Sequence, residues 1–246
     1  PKGAVLLAEC IRQAFIDRQD RPHDPHYYAQ LDHRKMCSPR YGKELSKKIR
    51  ANMRKGYKSP GETTHLSVMD RFGNAVALTQ SIERVYGSFA ASPELGFLYN
   101  NYMSCFETED MTHPYYLHPT AEPWASVAPT IVFRGKRPWL TIGSPGSERI
   151  TPSIVQVLLR LYAGQSPFDA VDAPRLHCTL AGEVSLEAAR MRDDIPVALR
   201  KHGFTVKERD PYSFYLGCVQ LVMKERRLFT GVADPRRDGS AAGPRL

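Results

Sequence analysis

Between residues 61 and 80 the chain reads GETTHLSVMDRFGNAVALTQ, with apolar and polar positions alternating at Leu66 and Val68 and again from Ala75 to Thr79. Two runs of period two joined by the turn Arg71-Phe72-Gly73-Asn74 predict a β-hairpin. A different period governs residues 4–18, where Leu7, Ile11 and Phe15 fall on one stripe, with Glu9 and Arg12 off it. That spacing predicts an amphipathic helix. Ser38-Pro39 starts a second helix, with Ser capping and Pro in the first turn. The segments 21–32 and 56–61 are rich in turn-forming and polar residues and read as a loop and a flexible, exposed linker.

Beyond the hairpin, 87–96 reads as a loop leading into Phe97-Leu98-Tyr99-Asn100-Asn101, and 107–123 as an irregular loop. Segments 128–133 and 139–142 predict paired strands across the turn Arg134-Gly135-Lys136, and Gly143-Ser144-Pro145-Gly146-Ser147 closes the second of them. A helix opens at Thr151-Pro152 and carries Ile154, Val155, Leu158, Leu159 and Tyr162; Ser166-Pro167 caps another. Strands come next at 183–187, 204–208, 214–223 and 227–232, with a helix at about 191–202. No internal repeat is visible. Strands stacked between helices predict a layered α+β fold.

The chain has 246 residues, long enough for a sizeable core and one or two domains, and its 42% hydrophobic and 24% charged content is that of a globular protein. No apolar run approaches the length of a membrane span, and no signal peptide is visible. It opens at Pro1 inside a helical pattern, which leads us to expect a piece of a longer protein. Of its net charge of +8, residues 1–62 carry +7. Lys43, Lys47, Lys48, Arg50, Arg54 and Lys55 recur at helical spacing, which reads as a solvated helix face. No nucleic-acid motif accompanies them, so no nucleic-acid partner is expected. The five cysteines, at 10, 37, 105, 178 and 218, include no CxxC pair, and the eight histidines form no HExxH or other metal spacing. No metal and no cofactor are expected. His65 reads as a ligand or base, or as a hydrogen-bonded structural histidine, the commoner role.

Taken alone, Thr63 is a β-branched residue opening a strand. Its setting, however, resembles the γ-glutamyltranspeptidase family. The likeness rests on Thr-Thr-His heading a hairpin that reads SV-x-D-x-x-GNAVA-x-T, on LLAE near the start, on the Asn100-Asn101 strand end, and on Ala233-Asp234-Pro235-Arg236-Arg237-Asp238-Gly239 near the end. It covers essentially the whole chain. The resemblance implies the four-layer αββα sandwich of N-terminal-nucleophile hydrolases. It also implies cleavage between Glu62 and Thr63, so that residues 1–62 are the remnant of a large subunit with its linker and 63–246 a complete small-subunit catalytic domain. The remainder of the large subunit is then a partner, forming a heterodimer after processing. The substrate is a γ-glutamyl or other acyl amide, of small-molecule or peptide type.

A free N-terminal threonine supplies both the hydroxyl that attacks and, through an α-amine of pKa about 7.7–8.0, the group that takes its proton. The resemblance places an oxyanion hole at the backbone of Gly146 and Ser147, where the family's second glycine has become serine. Ser81 stands where the family has a threonine that holds the nucleophile; alone it is a polar strand residue. Ser126 matches the second serine of a family motif whose first is Ala125 here. The family's acyl-end contacts fall on Glu83, Tyr102 and Cys105, all changed in kind. Glu83 is read as an amine-binding group or as a solvated charge paired with Arg84, and Arg149 as meeting a substrate carboxylate or serving the fold. These departures leave glutathione an unsafe expectation for the donor. They keep a cephalosporin or glutaryl acylase-like specificity open, as well as an unprocessed homologue that binds without turnover. Family members are commonly exported, which suggests a periplasmic or secreted protein and leaves a cytoplasmic one open.

Overall fold

The computed structural model describes residues 1–19, 34, 37–49, 62–113 and 115–244. The predicted loop at 21–32 and linker at 56–61 lie outside the described residues. Nine strands and five α-helices are seen among the described ones. Helix α1 (Lys2–Gln19) and helix α2 (Pro39–Ile49) come first, and Ser38 Oγ accepts from the Tyr41 amide at 3.2 Å as the expected cap. On α2, Lys43 and Lys47 are exposed, in keeping with a solvated face.

Strands β1 (Glu62–Met69) and β2 (Ala75–Glu83) form the predicted hairpin, antiparallel, with Thr63 opposite Ser81, His65 opposite Thr79 and Leu66 opposite Leu78. Its turn is tied by the Asp70 carboxylate, whose Oδ1 accepts from the amides of Phe72 at 2.9 Å and Asn74 at 2.8 Å. Strands β3 (Thr130–Arg134), β4 (Arg137–Gly143), β8 (Gln220–Glu225) and β9 (Leu228–Val232) make an antiparallel sheet in the order β3-β4-β8-β9. Pro138 lies opposite Phe133 where the β3–β4 register shifts, a bulge at which a missing amide proton is tolerated.

Helix α3 (Ile150–Tyr162) buries Ile150, Ile154, Val157 and Leu161 on one stripe against this sheet, packing with Trp139, Leu140, Ile142, Leu221 and Met223. Burying each such side chain contributes roughly 1.5–3 kcal/mol. The hairpin lies against β4 and β8 from the other side, so residues 139–143 of β4 are buried on both faces. Helix α4 (Pro167–Asp172) begins at Ser166, whose Oγ accepts from the Asp169 amide at 3.1 Å. From one outer layer inward the order is helix, four-stranded sheet, hairpin.

A second core forms where α1 and α5 (Asp194–Lys201) cover strands β5 (Leu176–Cys178), β6 (Glu183–Leu186) and β7 (Thr205–Glu208). Ala8 and Ile11 of α1 are buried there with Leu176, Val184, Leu186, Leu199 and Phe204. Arg12, expected off the apolar stripe, is buried too. Its Nε donates to the Leu180 carbonyl at 3.1 Å, which meets the polar group's need inside the protein.

Three elements differ from expectation. The strand placed at 214–223 is a 3-10 turn, Phe214–Leu216, and pairing resumes only at Gln220. Between them Gly217 has φ 81° and no room for a side chain, since a Cβ would lie 2.9 Å from Ser153 Oγ. Residues 97–101 form a loop with a single bridge from Leu98 to Ala91. The three-residue strand β5 was too short to carry a periodic signal. Among the described residues no helix is long and apolar enough to cross a membrane.

Candidate active site

Alternation along β1 turns Thr63, His65 and Ser67 toward the four-stranded sheet and leaves Leu66 and Val68 outside. The usual polarity of a half-buried hairpin is thereby reversed. His65 is buried, with Nδ1 2.7 Å from Thr79 Oγ1 and Nε2 3.0 Å from Ser67 Oγ, and Ser67 Oγ donates in turn to the Gln220 carbonyl at 3.4 Å. Burial lowers the His65 pKa to about 4, so the ring is neutral at pH 7. His65 has the bonding of a structural histidine; among the described residues no cluster of His, Cys, Asp and Glu is suited to a metal. The five cysteines are unpaired.

At the head of this hairpin Thr63 Oγ1 donates to Ser81 Oγ at 3.0 Å, and the Glu83 amide donates to the same Ser81 oxygen at 3.0 Å. The β1–β2 register slips between Glu62 and Thr63, so the bond joining them faces a bulge that leaves Ile82 unpaired. Glu83 adopts φ 70°, sparsely populated for a non-glycine residue. With Glu62 and Thr63 consecutive in β1, the Thr63 nitrogen here is an amide.

The loop after β2 returns to the same place. The Asn101 amide donates to the Ile82 carbonyl at 3.3 Å, the Arg84 amide to Asn101 Oδ1 at 3.1 Å, and the Tyr102 amide to Asn100 Oδ1 at 3.0 Å. This positions the 3-10 turn Tyr102–Cys105 beside the strand end. Tyr102 bonds to Ser81 through its side chain, and Glu83 lies near enough to Tyr102 and Cys105 to raise both their pKa values further above what burial does. Burial raises the Glu83 pKa, an effect Arg84 opposes. Thr63, Ser81, Glu83, Tyr102 and Cys105 therefore form one cluster.

A cavity of about 1220 Å³ runs along β1 from Thr63 to Phe72 and reaches Pro145, Cys218, Gln220 and the tail at 237–244. Of the turn at 143–147 it touches Pro145 alone; Gly146 and Ser147 do not line it. In that turn Gly146 has φ 135° and Ser147 φ 54°. Serine has kept the left-handed backbone that a glycine adopts freely. Ser144 Oγ accepts from the Cys218 amide at 3.0 Å and so pins the turn to the chain before β8.

Ser147 and Ser126 line a second cavity of about 440 Å³, against Leu7, Cys10, Ile11 and Phe15 of α1, and Thr63 is not part of it. Arg149 lines neither cavity. It is buried, its Nε donates to the Tyr215 carbonyl at 3.2 Å, and its guanidinium lies 4.5 Å from the Tyr215 ring centre. The geometry is that of a structural arginine.

The matched tail motif also proves to be structural in large part. Asp234 and Arg236 are buried with Arg175 and Glu187. Arg175 pairs with Asp234 at 2.6 Å, and Arg236 meets Glu187 at 2.7 Å and Asp234 at 3.1 Å. Sequence reasoning missed Gly143, Cys218 and Gln220. Gly143 has a physical signature in the fold, since a Cβ there would lie 2.2 Å from the His65 ring. Sequence alone gives no signal for a contact between residues so far apart.

The layers of helix, sheet and hairpin are those of an α+β fold, and the solved structures the chain matches place it in the N-terminal-nucleophile class, whose αββα sandwich has a further helix layer. The chain belongs to the γ-glutamyltranspeptidase family, whose model matches residues 1–244. It is 30% identical to the glutathione hydrolase proenzyme of Bacillus subtilis (strain 168), a match covering 98% of this chain and 45% of that protein. It is 32% identical to the acylase ACY 1 proenzyme of Pseudomonas sp. (strain SE83), over 75% of this chain and 34% of that one. The cephalosporin acylase from Bacillus halodurans shares its fold, with a TM-score of 0.82 over 96% of this chain and 44% of that chain, at 24% identity. The chain spans less than half the length of these relatives.

Proposed function

We propose that this protein is an amidase or acyltransferase that cleaves itself before Thr63 and then uses Thr63 as its nucleophile. The observation that carries the reading is Thr63 Oγ1 held 3.0 Å from Ser81 Oγ at a register slip spanning the Glu62–Thr63 bond. In the precursor, Thr63 Oγ attacks the Glu62 carbonyl carbon and the C–N bond breaks. The hydroxyl proton passes to the departing nitrogen, and an ester remains. Water opens that ester to a Glu62 carboxylate and a free Thr63 with its hydroxyl and α-amine. The products are residues 1–62, with whatever precedes them, and the catalytic unit 63–246.

In turnover the α-amine takes the proton as Thr63 Oγ adds to the donor amide carbonyl. The leaving amine carries that proton away, and water or an acceptor amine then releases the acyl group. Backbone amides of Gly146 and Ser147 are assigned to the oxyanion, a contribution typically worth about 2.7–4 kcal/mol for one donor. Ser81 holds the nucleophile's hydroxyl.

The acyl group is γ-glutamyl or a related one, met by Glu83, Tyr102 and Cys105; Ser126, in the second cavity, stands apart from Thr63. Glu83 offers a carboxylate to an ammonium group; Arg149, turned onto Tyr215, is a weaker choice for a substrate carboxylate. The uncharged thiol at 105 and the likeness to an acylase favour a second reading with glutaryl or other acyl donors. The partner is the remainder of the family-length polypeptide, for which the exposed apolar residues Leu66, Val68, Val76 and Leu78 on the hairpin's outer face supply a contact surface.

A panel of γ-glutamyl, glutaryl and simple acyl anilides, assayed with the full-length protein and its Thr63→Ala variant, tests this. Turnover of at least one donor by the parent and none by the variant is expected. Equal rates in the two remove Thr63 as the nucleophile.

A further inference from the structure

The turns closing three hairpins, at 70–74, 134–137 and 225–228, meet at the end of the molecule away from Thr63. With β1 eight residues long, they lie about 25 Å from the candidate nucleophile. Between them is a cleft of about 1100 Å³ lined by Arg71, Arg134, Lys136, Arg137, Lys224 and Arg226, with one carboxylate, Glu225. Among the described residues none of these six cations is paired with a carboxylate. Asp70, the nearest acid on the hairpin, is engaged within its own turn by Phe72 and Asn74. The cluster's field is therefore directed into solvent and attracts anions.

The shape narrows the choice of anion. Arg71 stands on the hairpin's wall, and the other five cations stand on the wall made by the four-stranded sheet. A planar bilayer meets only the rim of such a cleft, whereas an extended chain enters it. Nucleic-acid strands draw on open aromatic faces for stacking. Here Trp139 is buried beneath Arg134 at 3.8 Å, which leaves Phe72, with Arg71 4.8 Å from its ring centre, as the one exposed ring of the lining, too few for a stacked run of bases. Four of the six cations are arginines, whose planar forks take carboxylates, as they do phosphates, in bidentate fashion. At the rim Phe72 and Leu228 are 77% and 71% exposed, offering apolar contacts between the charges.

We propose that this cleft docks an extended acidic polypeptide segment in which carboxylates alternate with apolar residues. The proposal does not depend on the chemistry assigned to Thr63. The test is fluorescence anisotropy on the full-length protein with a short labelled peptide of alternating glutamate and leucine. Binding is expected at low salt, weakening steeply as salt rises. The double variant Arg137→Glu/Arg226→Glu, altered only on exposed turns, is expected to bind about tenfold more weakly, with Tm unchanged. Lys136→Glu, a milder change, keeps the test open should the double variant misfold. Absence of peptide binding at low salt, or binding indifferent to these reversals, overturns the proposal. So does tighter binding of an oligothymidylate or of phosphatidylserine vesicles than of the peptide.

Discussion

Gly143 shows how tightly the site is built at the scale of a single residue. A methyl group there would collide with the His65 ring, so Gly143→Ala must displace the histidine or the strand. Overpacking of this kind costs about 1–3 kcal/mol. Thermal unfolding should place the variant's Tm several degrees below the parent; an unchanged Tm would mean that the ring moves aside freely. His65 also sets a pH dependence. Its folded pKa is about 4, whereas an unfolded histidine titrates near 6.5. Between these values the unfolded chain binds more protons, so stability is full above about pH 6.5 and falls as pH drops toward 4. His177, lowered by burial and then by Arg149 to about 3, acts in the same direction. The urea midpoint of the parent should decline across that window, and less steeply in His65→Gln. A steeper decline in the variant would contradict the assignment. The place of Thr63 at the head of a hairpin, opposite Ser81, was legible because alternation and a turn mark the two strands. The contact between His65 and Gly143 was not, because sequence spacing says nothing about which distant glycine meets a ring.

At the scale of elements, β1 and β2 were readable from alternation, but the face they bury was not. Alternation identifies two faces without saying which one packs against the sheet. The fold buries His65 and half-buries Thr63 and Ser67, because His65 bonds to Thr79 and Ser67, Ser67 to the Gln220 carbonyl, and Thr63 to Ser81. The strand expected at 214–223 failed for a local reason, the steric demand at Gly217. The tail motif was recognisable in sequence, yet its buried partners Arg175 and Glu187 come from distant segments joined only by folding. Removing one member of a buried pair strands the other charge, at a cost of about 3–5 kcal/mol. Asp234→Asn is therefore expected to lower the urea midpoint sharply through Arg175, whereas Asp194→Asn, whose Arg192 pair is largely exposed, should leave it nearly unchanged. Comparable losses in the two variants would refute the distinction.

For the whole molecule, α1 shares a core with elements far along the chain, its Ala8 and Ile11 being buried against β5, β6 and α5. A cut at Glu62–Thr63 thus divides the covalent chain without dividing that core. On the hairpin's outer face, Leu66 and Leu78 are 54% and 51% exposed. In the full-length protein, Leu66→Glu/Leu78→Lys should weaken association between the two products while leaving self-cleavage chemistry intact; size-exclusion chromatography after processing reads this directly.

The most direct measurement is the mass and N-terminal sequence of the polypeptides formed from purified full-length precursor, alongside its Thr63→Ala variant. The parent should yield a fragment beginning Thr63-Thr64-His65, and the variant should stay intact. A parent that remains whole, a new terminus elsewhere, or the same cleavage in the variant would contradict a threonine that frees itself.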